Sequence, residues 1–134
     1  MSARIVLIGT ESTGQGEPLA QAIRATHVIA PAGGPEESAA MERALAGSTD
    51  GFVLEGYPLD VSQAERLDSF LDARAASVEI ALWFRTDAAP EPVEDELLHH
   101  YRGRVVEVDA NGTEAELLER ALDGIREAVL TFAA

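Results

Sequence analysis

Short apolar runs alternate with amphipathic segments along the whole chain. Runs of this kind are typical of parallel strands that are buried on both faces of a sheet. Five of them are long enough to form strands: Arg4 to Ile8, His27 to Ile29, Gly51 to Leu54, Val78 to Phe84 and Val105 to Val108. The alternation therefore predicts an α/β fold, in which a five-stranded parallel sheet lies between two layers of helices.

The segments between these runs carry apolar residues at helical spacing. Residues 39–45 and 61–71 each predict a short helix, and residues 114–132 predict the clearest one. Thr113 and Glu116 precede the apolar face of this last helix with capping-box spacing, which places the helix start directly after Thr113. Two segments rich in proline, Pro31 to Pro35 and Ala88 to Pro92, predict exposed loops.

Length and composition predict one domain over residues 1–134 and limit its partners. The chain has 24 acidic residues against 10 basic ones, all of them arginine, for a net charge of −14. This excess argues against nucleic acid and against anionic membrane surfaces as partners. Cysteine is absent, which excludes disulfides and thiolate metal sites and fits a reducing compartment. With no recognisable signal peptide, we expect a cytoplasmic protein.

One glycine-rich segment, Gly9 to Glu17, is similar to a phosphate-binding Walker A loop. In that loop the glycines let backbone N–H groups surround phosphates, and a lysine supplies positive charge. Here Gln15 stands where the lysine is required, while Glu11 and Glu17 add negative charge. At about 4 Å and an effective dielectric constant near 20, one like-charge contact costs roughly 4 kcal/mol. The segment therefore disfavours polyphosphate.

Three parts of the chain together resemble the adenylate kinase family. The opening, Ile5-Val-Leu-Ile-Gly9 followed by Gly14-Gln15-Gly16, is similar to the family's first strand and loop. The stretch Gly51-Phe-Val-Leu-Glu55-Gly56-Tyr57-Pro58-Leu59-Asp60-Val-Ser-Gln63-Ala64-Glu65 resembles the family signature G-F-[IL]-L-D-G-F-P-R-T-x-x-Q-A-E. Tyr101, Val105 to Asp109 and Asn111-Gly112 are similar to the family's last strand and adenine-side loop. The resemblance implies a three-layer α/β/α P-loop kinase core with the strand order 2-3-1-4-5.

The chain departs from this family mainly where positive charge is needed. Gln15 and Glu17 replace the loop lysine and threonine, and Leu59 replaces an arginine that the family uses on phosphates. No counterpart of the T-G-D-x-x-R segment lies between Ile29 and Asp50, and residues 86–101 supply an acidic loop and a short helix instead of an arginine-rich lid. We therefore expect a member with its lid deleted and its monophosphate arm shortened.

The resemblance leaves a vestigial nucleotide site, for which we assign no catalytic residue, metal ligand or cofactor. Its candidate residues are Gly9, Gly14, Gln15, Gly16, Glu17, Glu55 and Gln63. The glycines either form an anion-binding nest at a helix N-terminus or simply make a tight turn. Gln63 either corresponds to the family glutamine that reads adenine or forms a capping box with Asp60, the interpretation that we favour. Glu55 stands where the family has an aspartate near its metal.

The two acidic residues of the loop allow a further hypothesis. Since a helix N-terminus stabilises negative charge, Glu17 or Glu11 could fold into the nest as a built-in phosphate mimic. The alternative is that both side chains are solvated. Trp83 is predicted to fill the core of the sheet rather than to stack on a base.

Phosphoryl transfer depends on positioning and on cations that neutralise developing charge, and this chain has lost most of those cations. The sequence therefore favours an inactive pseudoenzyme that binds a protein partner, a second copy of itself or a nucleoside. One alternative is an active phosphotransferase in which Arg43, Arg85 or Arg102 replaces the missing lysine. Another is a sensor that binds adenine nucleotides without turnover.

Overall fold

The computed structural model describes residues 3–9, 16–29, 35–48 and 50–132. Five strands and five helices alternate along the chain. The strands are β1 (Arg4–Ile8), β2 (Thr26–Ile29), β3 (Phe52–Glu55), β4 (Ile80–Arg85) and β5 (Val105–Asp109). The helices are α1 (Gly16–Ile23), α2 (Pro35–Ala46), α3 (Val61–Asp72), α4 (Pro92–His100) and α5 (Glu114–Phe132).

The strands form a single parallel sheet in the order β2-β3-β1-β4-β5. Strand β1 lies at the centre, where Val6 is opposite Leu54 of β3 on one side and Ala81 of β4 on the other. The predicted sheet and its strand order are confirmed. Because all five strands point the same way, their carboxyl ends meet at one edge, which is where ligands bind in open α/β sheets.

Alternate residues of β1 face opposite helical layers. Ile5 and Leu7 pack into a core with helices α1 and α5, whereas Val6 and Ile8 pack into a second core with α2, α3 and α4. Since successive side chains of a strand point to opposite faces, a fully apolar central strand contributes to both cores at once. The three-layer α/β/α architecture is therefore confirmed.

The start of β4 differs from its prediction. The apolar run begins at Val78, but the strand begins at Ile80. Val78 is nevertheless buried in the core on the α3 side of the sheet. Its burial explains the apolar character that extended the predicted strand. The neighbouring backbone is held by Arg4, whose Nε donates to the carbonyl of Ser77 at 2.7 Å.

The connection between β4 and α4, at the carboxyl edge of the sheet, is short. Residues 86–91 join β4 directly to α4, and residues 88–91 are exposed, in agreement with the predicted loop. Pro92 belongs to α4 rather than to this loop. Residues 31–34 of the other predicted loop lie outside the described residues, and Pro35 begins α2.

Helix α5 begins at the predicted capping box. Thr113 Oγ1 accepts a hydrogen bond from the Glu116 N–H at 3.2 Å, and Glu116 Oε1 accepts one from the Thr113 N–H at 3.2 Å. The hydrogen bond from the Thr113 N–H to its carboxylate lowers the pKa of Glu116 below its ordinary value. Within the described ranges, no helix is both long enough and apolar enough to cross a membrane.

We expect Thr113→Ala to lower the free energy of unfolding by about 1 kcal/mol at neutral pH, because it removes the side-chain acceptor of the box. The folded-state pKa of Glu116 is depressed. The stabilisation from the box is therefore present above the unfolded pKa and is lost as pH falls through the folded value. Glu116→Gln tests this, because it replaces the carboxylate that accepts from the Thr113 N–H, whereas Thr113→Ala keeps that N–H. The difference between wild type and Glu116→Gln should shrink on going from about pH 7 to about pH 3 in urea titrations. Exposed Glu119 on the same helix supplies a control, Glu119→Gln; an equally large difference at both pH values would contradict the prediction.

Candidate functional site

The candidate site lies at the carboxyl edge of the sheet, where Gly9 ends the first strand. Gly9 adopts a φ of +108°, a conformation that side chains rarely allow. A Cβ at this position would also lie 3.0 Å from the carbonyl oxygen of Phe84 on β4. Glycine is therefore required at position 9 for the close approach of this turn to β4.

Helix α1 begins at Gly16, and a carboxylate of the protein lies against its first N–H group. Glu55 Oε1 accepts a hydrogen bond from the Gly16 N–H at 3.2 Å. His27 Nε2 donates to the same oxygen at 3.2 Å. The side chains of Glu55 and His27 are only 13% and 18% exposed. The three groups, which we call the Glu55 cluster, form a partly buried contact at the helix N-terminus.

The sheet register explains why these groups meet. Ile29 of β2 pairs with Glu55 of β3, and His27 pairs with Val53. His27 and Glu55 are thus diagonal neighbours on adjacent strands, on the face that carries Val53 and is covered by α1. A Cβ on Gly16 would lie 2.5 Å from Glu55 Oε1 and 2.8 Å from His27 Cδ2, so only glycine leaves room for the cluster.

The cluster places negative charge where a helix N-terminus would otherwise receive an anion. Backbone N–H groups and the helix dipole favour negative charge at this position. The sequence suggested that Glu17 or Glu11 fills it, but the Glu17 side chain is exposed on α1. Glu11, Gly14 and Gln15 lie outside the described residues. The carboxylate observed at the first N–H of α1 is that of Glu55.

Gln63 takes part in the start of α3, where one of the two hydrogen bonds of the favoured capping box with Asp60 forms. Its backbone N–H donates to Asp60 Oδ1 at 2.8 Å. Its side-chain Oε1 accepts from the Leu59 N–H at 2.7 Å. The side-chain carbonyl is therefore engaged in ordering the turn that leads into the helix.

A cavity of about 360 Å³ opens beside the Glu55 cluster. Leu7, Ile8 and Leu97 supply apolar walls. Three further apolar side chains line it although they are strongly exposed: Ile29 (60%), Leu59 (59%) and Val93 (46%). Glu55, Glu91 and Glu94 are its acidic residues, and no arginine is among the lining residues that the structure describes.

Trp83 contributes to this cavity indirectly. Its ring is partly buried against the core on the α3 side of the sheet, broadly as predicted. Its Nε1 donates to Glu94 Oε1 at 2.5 Å and so fixes that carboxylate at the cavity. No local sequence pattern indicates this second function of the indole.

The three arginines considered as substitutes for the loop lysine do not line the cavity. Arg85 pairs with Glu107 of β5, and Arg43 and Arg102 are exposed. Among the described residues there is also no group of three metal-ligating side chains that could hold a metal ion.

Comparison with known proteins finds distant relatives of the chain. No family model matches the chain. An adenylate kinase of Mycobacterium sp. (strain MCS) is 41% identical over 71 residues, which are 53% of this chain and 34% of that protein. An adenylate kinase of Mycobacterium tuberculosis (strain ATCC 25177 / H37Ra) is 31% identical over 100 residues, covering 56% of this chain and 55% of that protein. The chain is a distant relative of adenylate kinases. It spans between about a third and just over half of the length of these relatives.

A solved structure supports the fold over nearly the whole chain. A gluconokinase from Sinorhizobium meliloti 1021 superposes with a TM-score of 0.60 over 97% of this chain and 95% of that one, at 16% sequence identity. At such low identity the similarity shows the fold alone. The chain therefore has a P-loop kinase-like fold and a distant adenylate kinase-like sequence.

Relative to the adenylate kinase pattern, two replacements can now be placed in the structure. Leu59, which stands where the family pattern has an arginine, is exposed and lines the cavity. Glu55, which stands where the pattern has an aspartate, reaches the first N–H of α1. An apolar side chain thus stands at the position of an arginine that the family pattern uses on phosphates, and a longer carboxylate stands at the position of an aspartate near the metal.

Proposed function

We propose that this protein is a P-loop kinase-like pseudoenzyme, which has a binding role, binds nucleotides weakly or not at all and does not transfer phosphoryl groups. The observation that carries the proposal is the hydrogen bond from the Gly16 N–H to Glu55 Oε1. Within the family pattern this helix N-terminus would face phosphate, so an internal carboxylate there competes directly with polyphosphate for the same N–H donors.

The charge around the site supports the same proposal. Three glutamates and no arginine are found among the described lining residues. Phosphoryl transfer needs positive charge to neutralise the transferring group. A triphosphate entering this cavity would instead meet negative charge in a protein whose net charge is −14.

We expect magnesium-ATP, ADP and AMP to cause no thermal shift in the wild-type protein when each is present at about 100 times a typical micromolar dissociation constant. At that concentration, one bound ligand would stabilise the folded protein by about 2.7 kcal/mol. A coupled assay of ADP production should give no turnover above a protein-free control. Saturable magnesium-ATP binding without turnover would favour a nucleotide sensor. Magnesium-dependent turnover would favour an arginine-assisted phosphotransferase. Either outcome overturns the proposal.

Restoration variants test the mechanism. Gln15→Lys returns the loop lysine, and Glu55→Asp shortens the carboxylate by one methylene, which withdraws it from the Gly16 N–H. We expect Gln15→Lys alone to bind magnesium-ATP weakly or not at all, and the double variant to bind it at least tenfold more tightly. Gln15→Lys combined with Glu17→Asp is the matched control, because it shortens an exposed carboxylate of α1 by the same one methylene. If that control gains as much affinity, the Glu55 contact is not what blocks phosphate.

A further inference from the structure

The lining of the cavity suits a ligand that is chemically different from a nucleotide. The described side chains at its walls are mainly apolar, and their charged members are all glutamates. Binding sites for small molecules typically measure about 300 to 1,000 Å³ and combine apolar walls with a few placed polar groups. The cavity, at about 360 Å³, is at the small end of this range.

The exposed apolar residues concentrate at this one place. Ile29, Leu59 and Val93 are the large hydrophobic side chains that remain exposed among the residues described, and all three line the cavity. They come from the end of β2, the turn before α3 and the start of α4. Apolar surface that gathers at a concave site and is bordered by polar groups marks a site of binding. A bound apolar group would remove these side chains from water.

The carboxylates make the lining of the cavity negatively charged. Glu55 is held by Gly16 and His27, and Glu94 is held by Trp83, so two of the three are fixed by N–H donors. Glu91 is exposed at the start of α4. Fixed carboxylates attract a cation without first having to be ordered, and the net charge of −14 raises the local concentration of cations further.

We propose that the cavity binds a small organic cation with an apolar body, such as an arylalkylamine. The apolar body would pack against Leu59, Ile29 and Val93, and the ammonium group would lie among the glutamates. The inference deepens the proposed function, on which it rests, because an operational phosphate site in the same place would require the opposite charge.

Three probes with one apolar body and different charge test this proposal. They are 4-phenylbutylamine, 4-phenylbutan-1-ol and 4-phenylbutyrate, titrated into the full chain by calorimetry and by chemical-shift mapping of backbone amides. We expect the amine to bind at least tenfold more tightly than the alcohol and the carboxylate to bind most weakly. The shifts should centre on Gly56, Leu59 and Val93. Equal affinity of amine and carboxylate, shifts elsewhere, or no saturable binding of any probe would overturn the proposal.

Two variants separate the charge from the apolar contact. Glu91→Gln should weaken amine binding about fivefold, the value of one charge pair in water at about 4 Å, and leave alcohol binding unchanged. Leu59→Ser should weaken the amine and the alcohol by the same factor. The matched control is Glu96→Gln, which removes an exposed carboxylate from the same helix but away from the cavity lining. If Glu96→Gln weakens amine binding as much as Glu91→Gln does, the attraction is non-specific and the proposal fails.

Magnesium-ATP, titrated in parallel, distinguishes failure of the inference from failure of the proposed function. No binding of ATP or of the amine overturns only the inference. Binding of ATP overturns the proposed function and the inference together. Sedimentation checks the other occupant of an apolar surface. Wild-type dimers that Leu59→Ser dissociates and the amine does not would identify a second copy of the chain as the occupant and would overturn the inference.

Discussion

Gly16→Ala is expected to lower the free energy of unfolding by about 1 to 3 kcal/mol, the usual cost of forcing extra volume into a packed position. The new Cβ would lie 2.5 Å from Glu55 Oε1 and overlap the His27 ring, so both side chains would have to move. Their displacement breaks the contact between His27 and Glu55 as well as the hydrogen bond to Gly16. Urea titration measures the loss, and an increase of solvent exchange at the amide of residue 16 identifies its origin.

His27→Ala provides the matched control for this substitution. It removes the ring that the new methyl group overlaps. Gly16→Ala should therefore cost less in the His27→Ala background than in wild type, with a coupling energy of about 0.5 to 3 kcal/mol in the double-mutant cycle. A Gly16→Ala variant as stable as wild type, or strictly additive effects, would show that the Glu55 cluster is not closely packed. Alanine's higher helix propensity acts in the opposite direction by about 1 kcal/mol at most.

Phe52→Ala is expected to lower the free energy of unfolding by about 3 to 5 kcal/mol, the range for truncating a buried aromatic residue. Phe52 begins β3 and is 0% exposed in the core formed with α2, α3 and α4. The change removes apolar contacts and leaves a cavity between the sheet and that helical layer. Because a domain is stable by only about 5 to 15 kcal/mol, the loss should be plain in urea or thermal unfolding.

Leu59→Ala is the control for this core substitution. It also shortens an apolar side chain, but Leu59 is 59% exposed, so we expect a change within about 0.5 kcal/mol. A loss for Phe52→Ala below about 1 kcal/mol, or an equal loss at both positions, would contradict the described core. The contrast also separates residues that hold the fold together from residues placed at the cavity.

Much of the architecture could be predicted from sequence because the strands are buried on both faces. The run Ile5 to Ile8 has no polar residue, as expected for a central strand between two helical layers. The strand order came from the resemblance around Gly51 to Glu65, which apolar patterns alone do not supply. The ends of strands were less accurate, since Val78 is buried without belonging to β4.

The candidate site was only partly predictable. The capping interpretation of Gln63 follows from local spacing to Asp60. The Asp60 side chain caps as expected, whereas the Gln63 side chain accepts from the Leu59 N–H, one residue before the N-cap. The contact of Glu55 with Gly16 joins residues 39 positions apart, and the contact of Glu55 with His27 depends on the register between β2 and β3. Local spacing could reveal neither contact. The one available signal was the extra methylene of glutamate at a position where the family pattern has aspartate. Its length decides which group the carboxylate can reach.

The direct connection of β4 to α4 through residues 86–91 has a kinetic consequence. In kinases that close a lid, opening of that lid can limit how fast molecules leave the site. Here no such insertion follows β4, so entry and departure on this side of the cavity involve no closing step. Occupancy should then follow free ligand concentration promptly, and titrated amide resonances near Val93 should move continuously rather than split into two sets.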